Sequence, residues 1–155
     1  MSETFITRFV ALDDLPQLIS LYELLSSNDL PIDLASAQHH LAQLTAIPNC
    51  HIFGGWVDGT LVSSCTQFIL PNLTRQGRPY ALIENVVTDQ AHRQQGFAKQ
   101  LLNAATAYAF DHECYKVMLM TGMSDEGTLA FYKSAGFEQT KTGFQIRNIP
   151  ARGQS

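Results

Sequence analysis

Apolar side chains recur along this chain with two distinct periods, and the switches between them mark out the elements. Residues 4–10, Thr-Phe-Ile-Thr-Arg-Phe-Val, are rich in β-branched and aromatic types and predict a first strand. Asp13-Asp14 followed by Pro16 signals a helix start, because an acidic cap and a proline in the first turn both suit free N–H groups. Leu15, Leu18, Ile19, Tyr22 and Leu25 then recur at helical spacing and are expected to face the core. Asp33 predicts the cap of a second helix reaching about Thr45, with Leu34, Ala37, Leu41 and Leu44 on one side.

Residues 51–57 and 60–70 predict two strands joined at Asp58-Gly59, a tight hairpin signal. Asn72–Pro79 is polar and reads as a loop, and Tyr80–Thr88 as a further strand. Gly96 opens a long helix whose core face is Phe97, Leu101, Ala104, Ala105 and Tyr108. A strand over Tyr115–Thr121 and a short helix over Asp125–Ala135, stopped by Gly136, follow. From Phe137 onward one or two terminal strands are expected, bent at Gly143. The order β-α-α-β-β-β-α-β-α-β-β predicts a mixed α/β fold, antiparallel at first and closed by a β-α-β crossover.

Length and composition narrow the class. A chain of 155 residues with 45% hydrophobic and 15% charged side chains is long enough for a real core and too apolar to be disordered. No repeat or linker interrupts it, so residues 1–150 read as one domain with a tail at 151–155. The net charge of −4 argues against a general nucleic-acid binder. That charge is uneven. Residues 1–70 carry one basic side chain against seven acids, −6, and residues 71–155 carry nine against seven, +2. The two halves are expected to face ligand groups of opposite sign.

Cys50, Cys65 and Cys114 have no metal-ligand spacing, and no His/Cys/Asp cluster does. Buried free thiols and no metal are expected. Met1-Ser2-Glu3-Thr4 lacks a basic region ahead of an apolar stretch, and no run approaches the ~20 apolar residues that span a bilayer. A soluble cytoplasmic protein without a membrane partner is the expectation. His39-His40 and His112 read as surface residues, while His51 opens a strand and His92 precedes the loop before Gly96.

The most informative stretch runs from Val86 to Lys99. A buried strand leaves through a polar turn and enters a helix at Gly96. The unpaired N–H groups of a helix's first turn, with the helix dipole behind them, make an anion site suited to phosphate. Gly96 allows close approach to the backbone, Ala98 keeps the next turn small, and Arg93 and Lys99 add positive charge. An ordinary strand-to-helix turn has the same outline, and the stretch is neither a Walker A loop nor a dinucleotide fingerprint.

Arg93-x-x-Gly96-x-Ala98, after a strand and opening a helix, resembles the Arg/Gln-x-x-Gly-x-Gly/Ala signature of the GNAT acetyltransferase superfamily. Asp125-x-x-Thr128-Leu129-x-Phe131-Tyr132-x-x-x-Gly136-Phe137 is similar to the Asn-x-x-Ala-x-x-Phe-Tyr-x-x-x-Gly-Phe helix of the same superfamily. Both stand in order, with a long helix and a strand between them, and Ile6–Leu25 resembles the family's first strand and helix. The resemblance implies a GNAT fold: a mixed, mostly antiparallel sheet with central splayed parallel strands, flanked by helices. It implies acetyl-CoA as co-substrate, its pyrophosphate on the backbone of Gln94, Gln95, Gly96, Phe97, Ala98 and Lys99, near Arg93. It implies that the pantetheine arm pairs with Val86, Val87 and Thr88, and that Tyr132 lies near the sulfur. A phenol of ordinary pKa ~10 is protonated at neutral pH and can donate to a leaving thiolate. Tyr132 also reads as a half-buried core tyrosine.

The chain departs from the family pattern at two places. Asp125 stands where asparagine is frequent, and Thr128 replaces alanine. A carboxylate at Asp125 is unfavourable beside phosphates, although the position belongs to the family's cofactor contacts.

Acetyl transfer needs a neutral amine, hence a base. Glu84, in the otherwise apolar Tyr80–Val87, is the candidate base and acceptor contact, with Asn85 beside it. A glutamate turned to a solvent-filled bulge, or bonded to neighbouring backbone, explains it equally well. Strand alternation places Glu84, Val86 and Thr88 on one face and Asn85 and Val87 on the other. Ile83–Val87 and Cys114–Val117 also resemble segments of glucosamine-6-phosphate N-acetyltransferases, though Asn85 replaces a typical aspartate. Loops at Ser26–Asp33 and Asn72–Pro79, the latter with Arg75 and Arg78, are expected to shape the acceptor site. The leading reading is an N-acetyltransferase for a small-molecule or peptide primary amine. The alternatives are a non-catalytic acyl-CoA module on the same fold and a nucleotide-binding domain. A homodimer is left open.

Overall fold

The computed structural model describes residues 4–25 and 30–150. The expectations for Ser26 to Asp29 and for the 151–155 tail lie outside the described residues. The strands are β1 (Phe5–Phe9), β2 (Cys50–Val57), β3 (Thr60–Leu70), β4 (Tyr80–Thr88) and β5 (Val117–Leu119), with β2 and β3 buried almost throughout. Helices form where the apolar period is near 3.6: α1 (Leu15–Tyr22), α2 (Leu34–Thr45), α3 (Phe97–Asp111) and α4 (Glu126–Ser134). The sheet order is β1-β2-β3-β4-β5. Every pairing is antiparallel except β4 with β5, which α3 joins as a crossover.

Two layers cover the sheet. Leu15, Leu18 and Leu21 of α1 with Ala37 and Leu41 of α2 pack on Ile52, Trp56, Leu61 and Val87. On the other face Leu101, Leu102 and Ala105 of α3 pack on Phe53, Cys65 and Ile83, with Phe131 and Tyr132 of α4 at their margin. Leu25 and Leu34, expected in the core, are exposed at the ends of their helices.

Both predicted caps are used, in different ways. Asp33 accepts the Ser36 N–H at 2.9 Å and caps α2. Asp14 instead accepts Arg8 Nη1 and Nη2 at 2.6 and 2.8 Å and the Ala11 N–H at 2.7 Å, while the Arg8 guanidinium lies 3.7 Å from the centre of the Trp56 ring. Hydrogen bonds from Arg8 hold the Asp14 carboxyl below the usual carboxylate range. This pair ties β1 to the start of α1. Asp14→Asn is expected to cost about 1 kcal/mol in chemical denaturation, a modest figure because half of Arg8 stays in water. The stabilisation should be complete above the ordinary carboxylate range and vanish as pH falls through the depressed pKa.

Two departures from alternation position the site. First, β4 carries a bulge. Ser64 lies opposite Val87 and Thr66 opposite Glu84, so Cys65 alone faces both Asn85 and Val86. Asn85 takes up the extra residue with φ of 55°. Alternation therefore flips partway along the strand. Ile83 and Val86 pack in the α3 layer, whereas Val87 packs under α1. The expected grouping of Glu84, Val86 and Thr88 on one face is thus overturned: Glu84 and Val87 share the α1 face, and Val86 and Thr88 the other.

Second, β4 and β5 part. Their pairing runs only from Ala81↔Val117 to Ile83↔Leu119, while β4 continues to Thr88. β5 is accordingly shorter than the predicted Tyr115–Thr121. The terminal strands expected after Phe137 do not form either, since residues 137–147 join no ladder and strand backbone is stable only with a partner edge.

Candidate active site

The parting of β4 and β5 opens a cleft of about 1520 Å³, larger than the usual ~300–1,000 Å³ of a small-ligand pocket. One wall is β4 from Ile83 to Thr88. The floor and far wall come from Met120 to Met123 after β5 and from Asp125, Gly127, Thr128, Phe131 and Tyr132 of α4. Ile19 and Tyr22 of α1, with Glu23 and Leu24 just after it, close the third side. The start of α3 forms one end.

That end is built for an anion. Asp89 and His92 Nδ1 are 2.7 Å apart across a 3₁₀ turn, and Arg93 Nε donates to the Thr88 carbonyl at 3.2 Å, so the turn is held on both sides. Gln94 and Gly96 have φ of 61° and 81°, which curls the backbone before the helix. The first intrahelical bond is from Gln100 N–H to the Gly96 carbonyl. The N–H groups of Phe97, Ala98 and Lys99 are therefore left to point out of the helix end. α3 has no acidic residue in its first turn to compete for them. A Cβ built on Gly96 would meet nothing within 4 Å, so the glycine serves the left-handed backbone and leaves the approach open.

Of the sequence-predicted loop residues, Arg93, Gln94, Gly96, Phe97, Ala98 and Lys99 line the cleft. Gln95 does not. Its side-chain amide turns back to donate to the Ala91 carbonyl at 3.2 Å. Asp125 reaches the cleft but caps α4, accepting from the Thr128 N–H at 2.9 Å and Oγ1 at 2.8 Å. Hydrogen bonds from Thr128 hold its carboxyl below the ordinary range. Thr128 and Asp125, the two departures from the family pattern, are thus a matched pair.

Tyr132 and Glu84 reach the gap from opposite faces of the sheet. Tyr132 sits against Phe131 and Phe137, half-buried, and burial pushes its phenol above the ordinary value. Its hydroxyl makes no hydrogen bond to a described residue. Glu84 is half-buried and bonds neither a neighbouring backbone nor any described side chain. Asn85 is exposed on the bulge and lines the same cleft.

The sequence reading missed Tyr22, which helical spacing assigned to the core. Tyr22 packs on that core and also lines the cleft, its phenol beside the hydroxyls of Thr66 and Ser64. The run Ser63-Ser64-Cys65-Thr66-Gln67, fully buried in β3, was the available signal, because buried hydroxyls imply polar neighbours. Conversely, no residue of the Asn72–Pro79 loop lines the cleft, so that expectation is corrected.

The thiols behave as expected. All three cysteines are free and buried, and burial pushes Cys65 up to about 12, which removes it as a nucleophile. Among the described residues no group of His, Cys, Asp or Glu is placed to hold a metal ion, and no helix is long and apolar enough to cross a membrane.

Comparison with known proteins agrees with this geometry. The model of the acetyltransferase (GNAT) family matches residues 18–137. A glucosamine 6-phosphate N-acetyltransferase from Trypanosoma brucei brucei is 38% identical over 79 residues, 51% of this chain and 52% of that protein. This chain therefore spans about half the length of that relative. A solved Agrobacterium tumefaciens chain described as an acetyltransferase superposes with a TM-score of 0.88 at 44% identity, covering 92% of this chain and 99% of its own. A solved Trypanosoma brucei acetyltransferase superposes at 0.81 and 25% identity, covering 93% and 99%. With its parted β4 and β5 and its anion-ready start of α3, the chain belongs to the acetyltransferase (GNAT) family.

Proposed function

We propose that this chain is an acetyl-CoA-dependent N-acetyltransferase that moves the acetyl group to a primary amine by direct transfer in a ternary complex. The observation that carries the reading is one continuous cleft lined both by Arg93, Lys99 and the free N–H groups of α3 and by the carboxylates of Glu23 and Glu84. The cleft is roomy enough for an elongated cofactor and an acceptor together.

The residues fit acetyl-CoA. Free helix N–H groups, Gly96 and two cations suit its pyrophosphate. The bulged strand at Val86, Val87 and Thr88 offers backbone groups to a pantetheine amide along the gap. Asp125 contributes as the cap that shapes the α4 wall. Acetyl-CoA supplies a thioester, whose carbonyl carbon accepts the amine lone pair while the carbon–sulfur bond breaks. Glu84, directly or through one water, takes the proton the amine must lose. Tyr132, kept protonated by burial, donates to the departing thiolate.

Glu23 and Glu84 in the lining favour a cationic acceptor, as does the −6 charge of residues 1–70. The trypanosomal relative's acceptor, by its name, is a sugar phosphate. A thiol-release assay across polyamines, aminoglycosides, peptide amines and amino-sugar phosphates tests both points. Turnover on cationic amines is expected. Turnover on anionic sugar phosphates alone would overturn the acceptor class, and no turnover on any amine, with acetyl-CoA bound, would favour the non-catalytic acyl-CoA module.

The phosphate-binding end makes its own prediction. Gly96→Val places a branched side chain at φ of 81° and across the open approach. Calorimetry is expected to show acetyl-CoA affinity down by more than about tenfold, given ~1–2 kcal/mol of backbone strain alone. The unaltered chain should bind CoA in preference to ATP. Equal binding of the two would point to a nucleotide-binding domain instead.

A further inference from the structure

The α1 side of the cleft differs from the end that suits a pyrophosphate. Ile19 of α1, Leu24 and Leu25 just after it, and Leu30, Pro31 and Ile32 ahead of α2 all line it. Leu30 is 94% exposed, and Leu24, Leu25 and Ile32 are 39%, 44% and 43% exposed. Single exposed apolar side chains are ordinary. A group of them on one wall of a binding cleft marks surface that a ligand covers.

Two carboxylates stand in the same lining: Glu84 on the α1 face of β4, and Glu23 directly after α1. No lysine or arginine joins them from this side. Residues 1–70 contain only Arg8, and Asp14 holds it. The lining cations Arg93, Lys99 and Arg147 come from the second half of the chain. An anionic group on the acceptor therefore finds no counter-charge on this wall. Hydrogen-bond partners are equally scarce. The N–H groups of Glu23, Leu24 and Leu25 already donate to the carbonyls of Ile19, Leu21 and Tyr22. Among the described lining residues of this wall, only Tyr22 and Glu23 have polar side chains. A polyol or an extended peptide needs many such partners, and a hydrocarbon needs none.

We propose that the acceptor is a small amphiphilic monoamine, a primary ammonium group on a hydrocarbon body without further charges or hydroxyls. This rests on the N-acetyltransferase reading and narrows it. The ammonium meets Glu84 and Glu23, and the hydrocarbon covers Leu24, Leu25, Leu30 and Ile32. Affinity then grows with hydrocarbon length, because each added methylene and the wall beneath it leave water together. A polyamine or an aminoglycoside sets further cations or hydroxyls against leucine and isoleucine, where they lose hydration and gain no partner. Transfer joins the amine nitrogen to the acetyl carbon and breaks the carbon–sulfur bond. Ammonium and thioester thus give a neutral amide, the CoA thiol and one proton. The amide has lost the charge that drew the amine to the carboxylates.

The test is a series of primary n-alkylamines from propylamine to octylamine, followed by thiol release at saturating acetyl-CoA. Spermidine, an aminoglycoside, a leucine-led peptide and glucosamine 6-phosphate are run beside it. The kcat/KM is expected to rise about two- to fourfold per added methylene and to exceed that of every polar amine. Leu30→Ser/Ile32→Ser replaces two exposed side chains, opens no cavity and should flatten that rise. A flat or falling series, a polar amine or peptide turned over better than octylamine, or an unchanged rise in the double variant would overturn the proposal and leave the N-acetyltransferase reading standing. A second arm needs no turnover. Octyltrimethylammonium has the charge and the chain but cannot accept an acetyl group. Calorimetry on the CoA complex should show it binding more than about tenfold tighter than tetramethylammonium. That result with no amine turned over would sink the N-acetyltransferase reading and keep the apolar amine site. Equal binding of the two ions would overturn the site.

Discussion

Tyr132→Phe should lower kcat by about 10²–10⁴, the usual worth of a positioned general acid. Acetyl-CoA affinity should stay within about twofold, because the ring that packs on Phe131 and Phe137 is retained. Steady-state kinetics paired with calorimetry separates the two quantities. The variant removes one oxygen whose hydroxyl serves no structural bond among the described residues, so stability should hardly move. The pH dependence follows from burial, which raises the phenol above its ordinary value. An acid must be protonated to work, so this limb stays flat through neutral and mildly alkaline pH. It declines only as pH rises through the raised pKa, and the Phe variant should lose that decline. Unchanged kcat in Tyr132→Phe would remove Tyr132 from the chemistry.

Glu84→Gln is expected to have the second large effect, about 10²-fold or more in kcat/KM for the amine near neutral pH. The amide keeps the shape of the side chain at the bulge but cannot take a proton. Its defect should shrink as pH rises toward the acceptor's own pKa, where free amine is abundant without a base. A loss that is constant across pH would instead mark Glu84 as an electrostatic contact for a cationic acceptor. Because Glu84 has no bonded partner among the described residues, its replacement leaves no orphaned group, and thermal stability should be nearly unaffected.

Much of the fold was legible because it is local. Spacing of Leu15, Leu18, Leu101 and Ala105 fixes which helix faces are buried, and Asp58-Gly59 sets the β2–β3 turn with φ of 47° and 81°. The loop from Arg93 to Lys99 was legible for the same reason: a glycine with positive φ ahead of a helix is a property of a few adjacent residues. Tyr22 was not. Helical period marks a residue as inward-facing but cannot say whether inward means core or cleft.

The limits of sequence reading are sharpest in β4. Alternation put Glu84 with Val86 and Thr88, and a single extra residue at Asn85 reversed that grouping. A bulge is a register event between two strands, so no pattern within Tyr80–Thr88 announces it. The terminal strands failed for a related reason: the period-two pattern at Phe144 and Ile146 is present, but a strand needs an edge to pair with. By itself the sequence determined the element order as far as α4, the anion-ready helix start and the charge division between the halves. Those follow from short-range periodicity, caps and composition. Only the tertiary structure decided which face Glu84 takes, where β4 and β5 part, and that Tyr22, Glu84 and Tyr132 meet at one cleft. These depend on pairing between residues far apart in the chain, whose energies no local window contains.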